Sequence, residues 1–176
     1  MTVKREVPSW EEYFFGMAQL VKKKSKDRST QVGVVVTDQY NRIVTTGYNG
    51  FPPEIDDNYE PFHLRPTKYF ITEHAERNAI YFCARKGISL EGCRMYFNSN
   101  PFPCSDCARA ILLSGIKTVI GKDVKFEGKG DWLDSLWYGK EMLLSSGVDI
   151  ILIDDNGQKV NVKNAKQFQG YSPPVV

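Results

Sequence analysis

Two short stretches, His74-Ala75-Glu76 and Pro103-Cys104-Ser105-Asp106-Cys107, constrain this chain more than any other feature. Each stands at the start of a predicted helix, where free N–H groups and a partial positive charge favour thiolate over thiol. Cys104 and Cys107 are three positions apart, so one helical turn aims both sulfurs at the same ion. His74, 30 positions before Cys104, supplies a third ligand. A chain that uses both motifs on one metal must fold so that two helix starts meet.

Three protein ligands leave one tetrahedral position for water, whose pKa on zinc falls to about 7. Glu76 stands two residues after His74 and need not coordinate; it can take a proton from that water and deliver it elsewhere. Either motif alone is weak, because C-x-x-C also suits redox chemistry or half of a structural zinc site, and H-x-E arises by chance. A closed site would need a fourth ligand. His63 is the only other histidine, and Cys83 and Cys93 fall in a helix and beside a strand, where they read as packed thiols. Together, H-x-E followed by P-C-x-x-C is the pattern of zinc nucleobase deaminases.

The chain has 176 residues, 41% hydrophobic and 25% charged, which suits one soluble domain able to fold without disulfides or a structural metal. The net charge of +2 is nearly neutral, and the one dense basic run, Val21-Lys22-Lys23-Lys24-Ser25-Lys26, follows a helical pattern whose dipole it complements. No signal-peptide pattern and no apolar run of about 18 residues is present, so the expected location is cytoplasmic. Four cysteines are too few and too unevenly spaced for a disulfide scaffold.

Ser9-Trp10-Glu11-Glu12 fits a capping box, and Trp10, Tyr13, Phe14, Met17, Ala18 and Val21 recur on one face, predicting a helix over 10–24. Residues 32–36 and 43–48 read as an antiparallel hairpin with its first strand buried on both faces. Residues 50–66 read as a long loop of the kind that serves a site. Helices are expected at 74–86, 104–114 and 131–146, and strands at 94–97, 117–120 and 148–153. This order implies an α/β domain, three-layer α-β-α, with a five-stranded mixed sheet. Residues 1–155 form the expected domain, and 156–176 a loosely held C-terminal tail or an element of assembly.

Beyond the metal motifs, the sequence resembles the deoxycytidylate (dCMP) deaminases of the cytidine deaminase superfamily from about Trp10 to Ile153. The matching stretches are Ser25-Lys26-Asp27 with Thr30-Gln31-Val32-Gly33, Gly47-Tyr48-Asn49-Gly50-Phe51-Pro52, Thr67-Lys68-Tyr69, His74 to Ile80, Phe102 to Ala108, and Ser114-Gly115-Ile116-Lys117. The resemblance implies a cytidine-deaminase-like fold, one catalytic Zn2+ per chain between two helix starts, and a homo-oligomer, a hexamer favoured. It implies hydrolysis of dCMP to dUMP and ammonia in pyrimidine deoxynucleotide metabolism, with Glu76 catalytic and His74, Cys104 and Cys107 on the metal. Asn49 is expected at the sugar hydroxyl, Phe102 near the base, and Ala75, Lys26 and Lys68 among the substrate contacts. It further implies allosteric control by dCTP and dTTP, with Mg2+ accompanying the triphosphate, near Tyr48, Asn49, Gly50 and Lys26.

Lys26, Arg28, Lys68 and Arg77 are the cations available for the substrate phosphate, with a solvated surface role as the alternative for each. Asn49 also suits a turn beside Gly50, and Phe102 ordinary core. Other cytosine nucleotides, dCTP included, are the alternative substrates. A base within nucleic acid is a further one, although the near-neutral charge lacks the basic track a strand requires. A nucleotide sensor without turnover should lack the proton carrier, which is present here as Glu76. Gly128-Lys129-Gly130 lacks the spacing of a phosphate loop, which leaves kinase and nucleotide-hydrolase readings without support. Trp132 and Trp137, between Gly128 and Tyr138, depart from the better-known members.

Overall fold

The computed structural model describes residues 5–123 and 130–162. Expectations that fall on Gly128, on Lys129 or beyond residue 162 lie outside them.

Helix α1 (Trp10–Val21) starts where the capping box predicts: the Glu12 N–H donates to Ser9 Oγ at 3.2 Å, and the Ser9 N–H donates to the Glu12 carboxylate at 2.8 Å. A 3-10 turn at Lys22–Lys24 extends it. Strands β1 (Gly33–Thr37) and β2 (Ile43–Tyr48) form the antiparallel hairpin. The expected long loop contains a 3-10 turn at Glu60–His63 and is followed by a four-residue helix, α2 (Lys68–Ile71). The chain continues through α3 (Ala75–Lys86), β3 (Arg94–Phe97), α4 (Ser105–Ser114), β4 (Thr118–Lys122), α5 (Asp131–Ser145), β5 (Asp149–Ile153) and β6 (Lys159–Asn161).

The sheet order is β2-β1-β3-β4-β5-β6. The β3/β4 and β4/β5 pairs are parallel, joined through α4 and α5, and the others are antiparallel. The described sheet thus has six strands, a correction to the expected five. The extra strand is the edge strand β6, which follows a turn closed by the Asp154 side chain, an acceptor for the Asn156 and Gln158 N–H groups.

Strand alternation sorts the core onto two faces. Val34, Val36, Met95, Phe97, Val119, Ile150 and Leu152 pack with residues of α3, α4 and α5. Val35, Tyr96, Ile120 and Ile153 pack against Phe14, Phe15 and Ala18 of α1. This is the predicted three-layer architecture, and each fully buried aliphatic side chain contributes about 1.5–3 kcal/mol. Burial on both faces explains why β1 reads as an unbroken apolar run. No described helix is long and apolar enough to cross a membrane.

Candidate metal centre and active site

The start of α3 is set by close packing on β2. A Cβ on Gly47 would lie 2.2 Å from the Ala75 carbonyl oxygen and 2.8 Å from the Ala79 Cβ, so α3 can approach only because position 47 carries no side chain. Ala75 is fully buried there. Gly50 and Glu73 exchange backbone hydrogen bonds at 3.0 and 2.8 Å, and Asn78 Nδ2 donates to the Tyr48 carbonyl at 2.8 Å. The Gly47 to Gly50 stretch is therefore fastened beside His74.

His74 is the N-cap of α3 and Cys104 that of α4. His74 Nδ1 lies 3.4 Å from the sulfurs of both Cys104 and Cys107, and the three atoms fall within 4.8 Å of one another. Tetrahedral zinc with bonds of about 2.0 Å to nitrogen and 2.3 Å to sulfur requires an N–S separation of about 3.5 Å. The donor set and its spacing therefore fit this metal. Among the described residues the cluster gains no fourth ligand. His63 instead meets the Asp57 carbonyl oxygen at 2.8 Å, and Cys83 and Cys93 are buried in the core as packed thiols.

The hydrogen bond to the Cys104 sulfur raises the His74 imidazole to about 9. Hydrogen bonding from Cys107, then from His74, lowers the Cys104 thiol to about 4. Cys107 keeps the shared proton and is pushed up. A metal binding here displaces the protons that the imidazole and the Cys107 thiol would otherwise hold. Glu76, in the first turn of α3, is buried, and burial raises its carboxyl above the ordinary range against the opposing pull of His74.

Helix α5 forms the outer wall. Trp132 meets the His74 ring edge-on at 6.0 Å, and the Ser105 N–H donates to Ser135 Oγ at 3.0 Å. Leu136 packs with Cys104 and Cys107. A Cβ on Gly139 would lie 2.2 Å from the Pro103 carbonyl oxygen. Residues 132, 135, 136 and 139 share one helical face. Ser135 and Gly139 were not singled out from the sequence, although their spacing from Trp132 is the signal that could have found them.

The expected substrate residues divide. Phe102 is buried in the main core. Asn49 is buried, its Oδ1 accepting from the Val32 N–H at 2.7 Å and its Nδ2 donating to the Thr30 carbonyl at 2.8 Å. Lys68 Nζ donates to both oxygens of Asp27 at 2.9 and 2.7 Å and to Ser29 Oγ at 2.7 Å, so its three N–H groups are engaged. Arg28 makes a two-pronged pair with Glu60, and Lys26 pairs with Asp57 at 2.7 Å. A cavity of about 340 Å³, lined by Lys26, Asp27, Arg28, Asp57, Arg65 and Lys68 among others, lies among these groups and includes none of the His74, Cys104 and Cys107 cluster. Arg65 was not anticipated; its guanidinium lies 5.8 Å from the centre of the Tyr69 ring.

The family model described as the cytidine and deoxycytidylate deaminase zinc-binding region matches residues 8–122. An uncharacterized deaminase in the luxG 3' region of Aliivibrio fischeri is 38% identical over 144 residues, covering 82% of this chain and 93% of that protein. The deoxycytidylate deaminase of Mus musculus is 39% identical over 122 residues, 66% of each chain. The apo crystal structure of the dCMP deaminase from cyanophage S-TIM5 superposes with a TM-score of 0.61 at 25% identity, covering 82% of this chain and 98% of that one. With the match spanning most of the chain, and with the two motifs meeting as a metal centre requires, this protein belongs to the cytidine and deoxycytidylate deaminase family.

Proposed function

We propose that the chain hydrolyses dCMP to dUMP and ammonia, with His74, Cys104 and Cys107 holding zinc and Glu76 carrying protons. The observation that carries this reading is a buried carboxyl two residues from the histidine of a three-ligand cluster. When bound, zinc lowers the pKa of a water to about 7 and so supplies a nucleophile at neutral pH. Glu76 is placed so that it would take a proton from the attacking water as the water oxygen bonds to C4 of the base. It hands that proton to N3, then takes the proton of the new C4 hydroxyl and delivers it to the departing amine, so that ammonia leaves as the C4 carbonyl forms. Burial suits this work, because a carboxyl raised toward the working pH can both accept and return a proton. The names of the mouse and cyanophage relatives support a cytosine deoxynucleotide monophosphate as substrate.

The cavity, whose lining sets Asp27 and Asp57 among the cations, supports a phosphate-bearing ligand at Arg65 and, with their ion pairs to Asp57 and Glu60 exchanged for the phosphate, at Lys26 and Arg28. It suits the control by dCTP and dTTP, with Mg2+, that the family resemblance implies near Tyr48, Asn49 and Gly50. Assembly as a homo-oligomer belongs to the same reading. Ammonia release from cytidine, CMP, dCMP and dCTP, with and without added triphosphates, tests it. Turnover should be fastest on dCMP, and equal rates on cytidine would refute the nucleotide assignment. Glu76→Gln should keep its zinc and lose about 10²- to 10⁴-fold in rate.

A further inference from the structure

Arg77 was expected as a phosphate contact, yet its guanidinium lies between two carboxylates. Its Nε donates to Glu73 Oε1 at 2.6 Å, and the same oxygen accepts the His74 backbone N–H at 2.8 Å. Its Nη1 lies 3.4 Å from Asp106 Oδ2. Asp106 stands between Cys104 and Cys107 in the first turn of α4. The side chains of Arg77 and Glu73 are each 23% exposed, which shelters this part of the chain of contacts from solvent screening.

We propose that Arg77 is a positioning residue for the metal centre: with Glu73 and Asp106 it forms an ionic clasp that holds the start of α3 against the start of α4. The inference rests on His74, Cys104 and Cys107 being the ligands. The contacts run from the His74 backbone through Glu73 and Arg77 to the turn that carries both cysteines, so they join the two segments whose separation fixes the 3.4 Å N–S distances. A guanidinium suits this role because its planar fork holds two carboxylates in a fixed relation, whereas an ammonium on a flexible stem does not. Ligand atoms misplaced by about 0.5 Å no longer hold a metal well. Arg109 pairs with Asp106 from the solvent side and reaches neither Glu73 nor His74 among the contacts of the described residues, so it belongs outside the clasp.

The test measures zinc transfer from the loaded, full-length protein to an excess of a chromophoric chelator, together with the absorption bands of the cobalt-loaded form. Outer partners of ligands are worth about 10- to 100-fold in metal affinity; with that loss expressed in dissociation, Arg77→Met should release zinc about 10- to 100-fold faster and should shift the cobalt bands. Asp106→Asn should act in the same direction, and combining it with Arg77→Met should add little, because both break one contact. Arg77→Lys should recover part of the loss. Arg109→Ala should release zinc at the parental rate. If Arg77→Met does not fold, Asp106→Asn, at a half-exposed site, carries the test. Parental release rates and cobalt spectra in both variants, or effects that simply multiply, would overturn the clasp. A parental protein that retained no metal would overturn the ligand assignment beneath it.

Discussion

Substituting Gly139 by alanine should weaken the protein, although alanine is the better helix former. An added Cβ would stand 2.2 Å from the Pro103 carbonyl oxygen and 3.2 Å from the Cys104 carbonyl carbon. Both neighbours are backbone, so no side-chain rotation relieves the clash, and α5 or the Pro103-Cys104 segment must move by about 1 Å to reach ordinary contact. Overpacking of this kind costs about 1–3 kcal/mol, and the upper end applies where backbone meets backbone. The helix-propensity gain of about 1 kcal/mol offsets part of it and leaves a loss of about 2 kcal/mol. For a domain of this size that is a fall in Tm of about 4–8 °C. Gly16, inside α1, provides the control, because a Cβ there meets nothing within 4 Å. Gly16→Ala should raise Tm by about 2–4 °C. Thermal unfolding followed by circular dichroism decides between them. A Gly139→Ala protein as stable as the parent, or one that gains stability as Gly16→Ala does, would refute the close-approach argument.

Three other outcomes follow from the geometry. Burial alone would raise the Asp27 carboxyl, but hydrogen bonds from Lys68, Ser29 and Thr30 hold it down to about 2. Its contribution is therefore full above about pH 4 and drains as pH falls toward 2. Asp27→Asn should lower the urea midpoint at pH 5, by a free energy on the order of 3 kcal/mol where it strips the buried Lys68 ammonium of its counter-charge. That difference should shrink through the pH 4 to 2 window, and a constant difference would count against it. Chelation should lower Tm, and zinc restored to about a thousandfold above its Kd should return about 4 kcal/mol, near 10 °C; an unchanged Tm would argue against a metal at these ligands. Because Trp132 meets the His74 ring, metal binding should change tryptophan emission in the parent and leave it unchanged in Trp132→Phe. A response that persisted in that variant would place the reporter elsewhere.

Much of this was legible from sequence because local signals and tertiary demands agree. The Ser9 capping box, the apolar run of β1 and the two metal motifs each specify their own neighbourhood, and the structure repeats them. Strand β6 was not legible: Lys159-Val160-Asn161 is exposed at a sheet edge, so burial imposed no pattern on it. Helix α2 was hidden for a similar reason, since four residues are too few to show a period. The partners of Asn49 and Lys68 lie 17 to 41 positions away in the chain, and Arg77 reaches Asp106 on a separate helix. Sequence marks such residues as polar but says nothing of what they meet. The face of α5 was half legible, Trp132 and Leu136 being conspicuous while Ser135 and Gly139 matter for a hydroxyl and for an absent side chain.

Neither His74 nor Cys104 makes the side-chain hydrogen bond that N-cap residues ordinarily provide. Two helices thus begin with donors their own caps leave unanswered, and for α4 the substitute is borrowed from α5 through Ser135. An ion gripping both caps would stiffen two helix beginnings at once, so amide hydrogen exchange near residues 75–78 and 105–108 should slow together as metal occupancy rises. Occupancy would then be readable in backbone protons that never touch the ion.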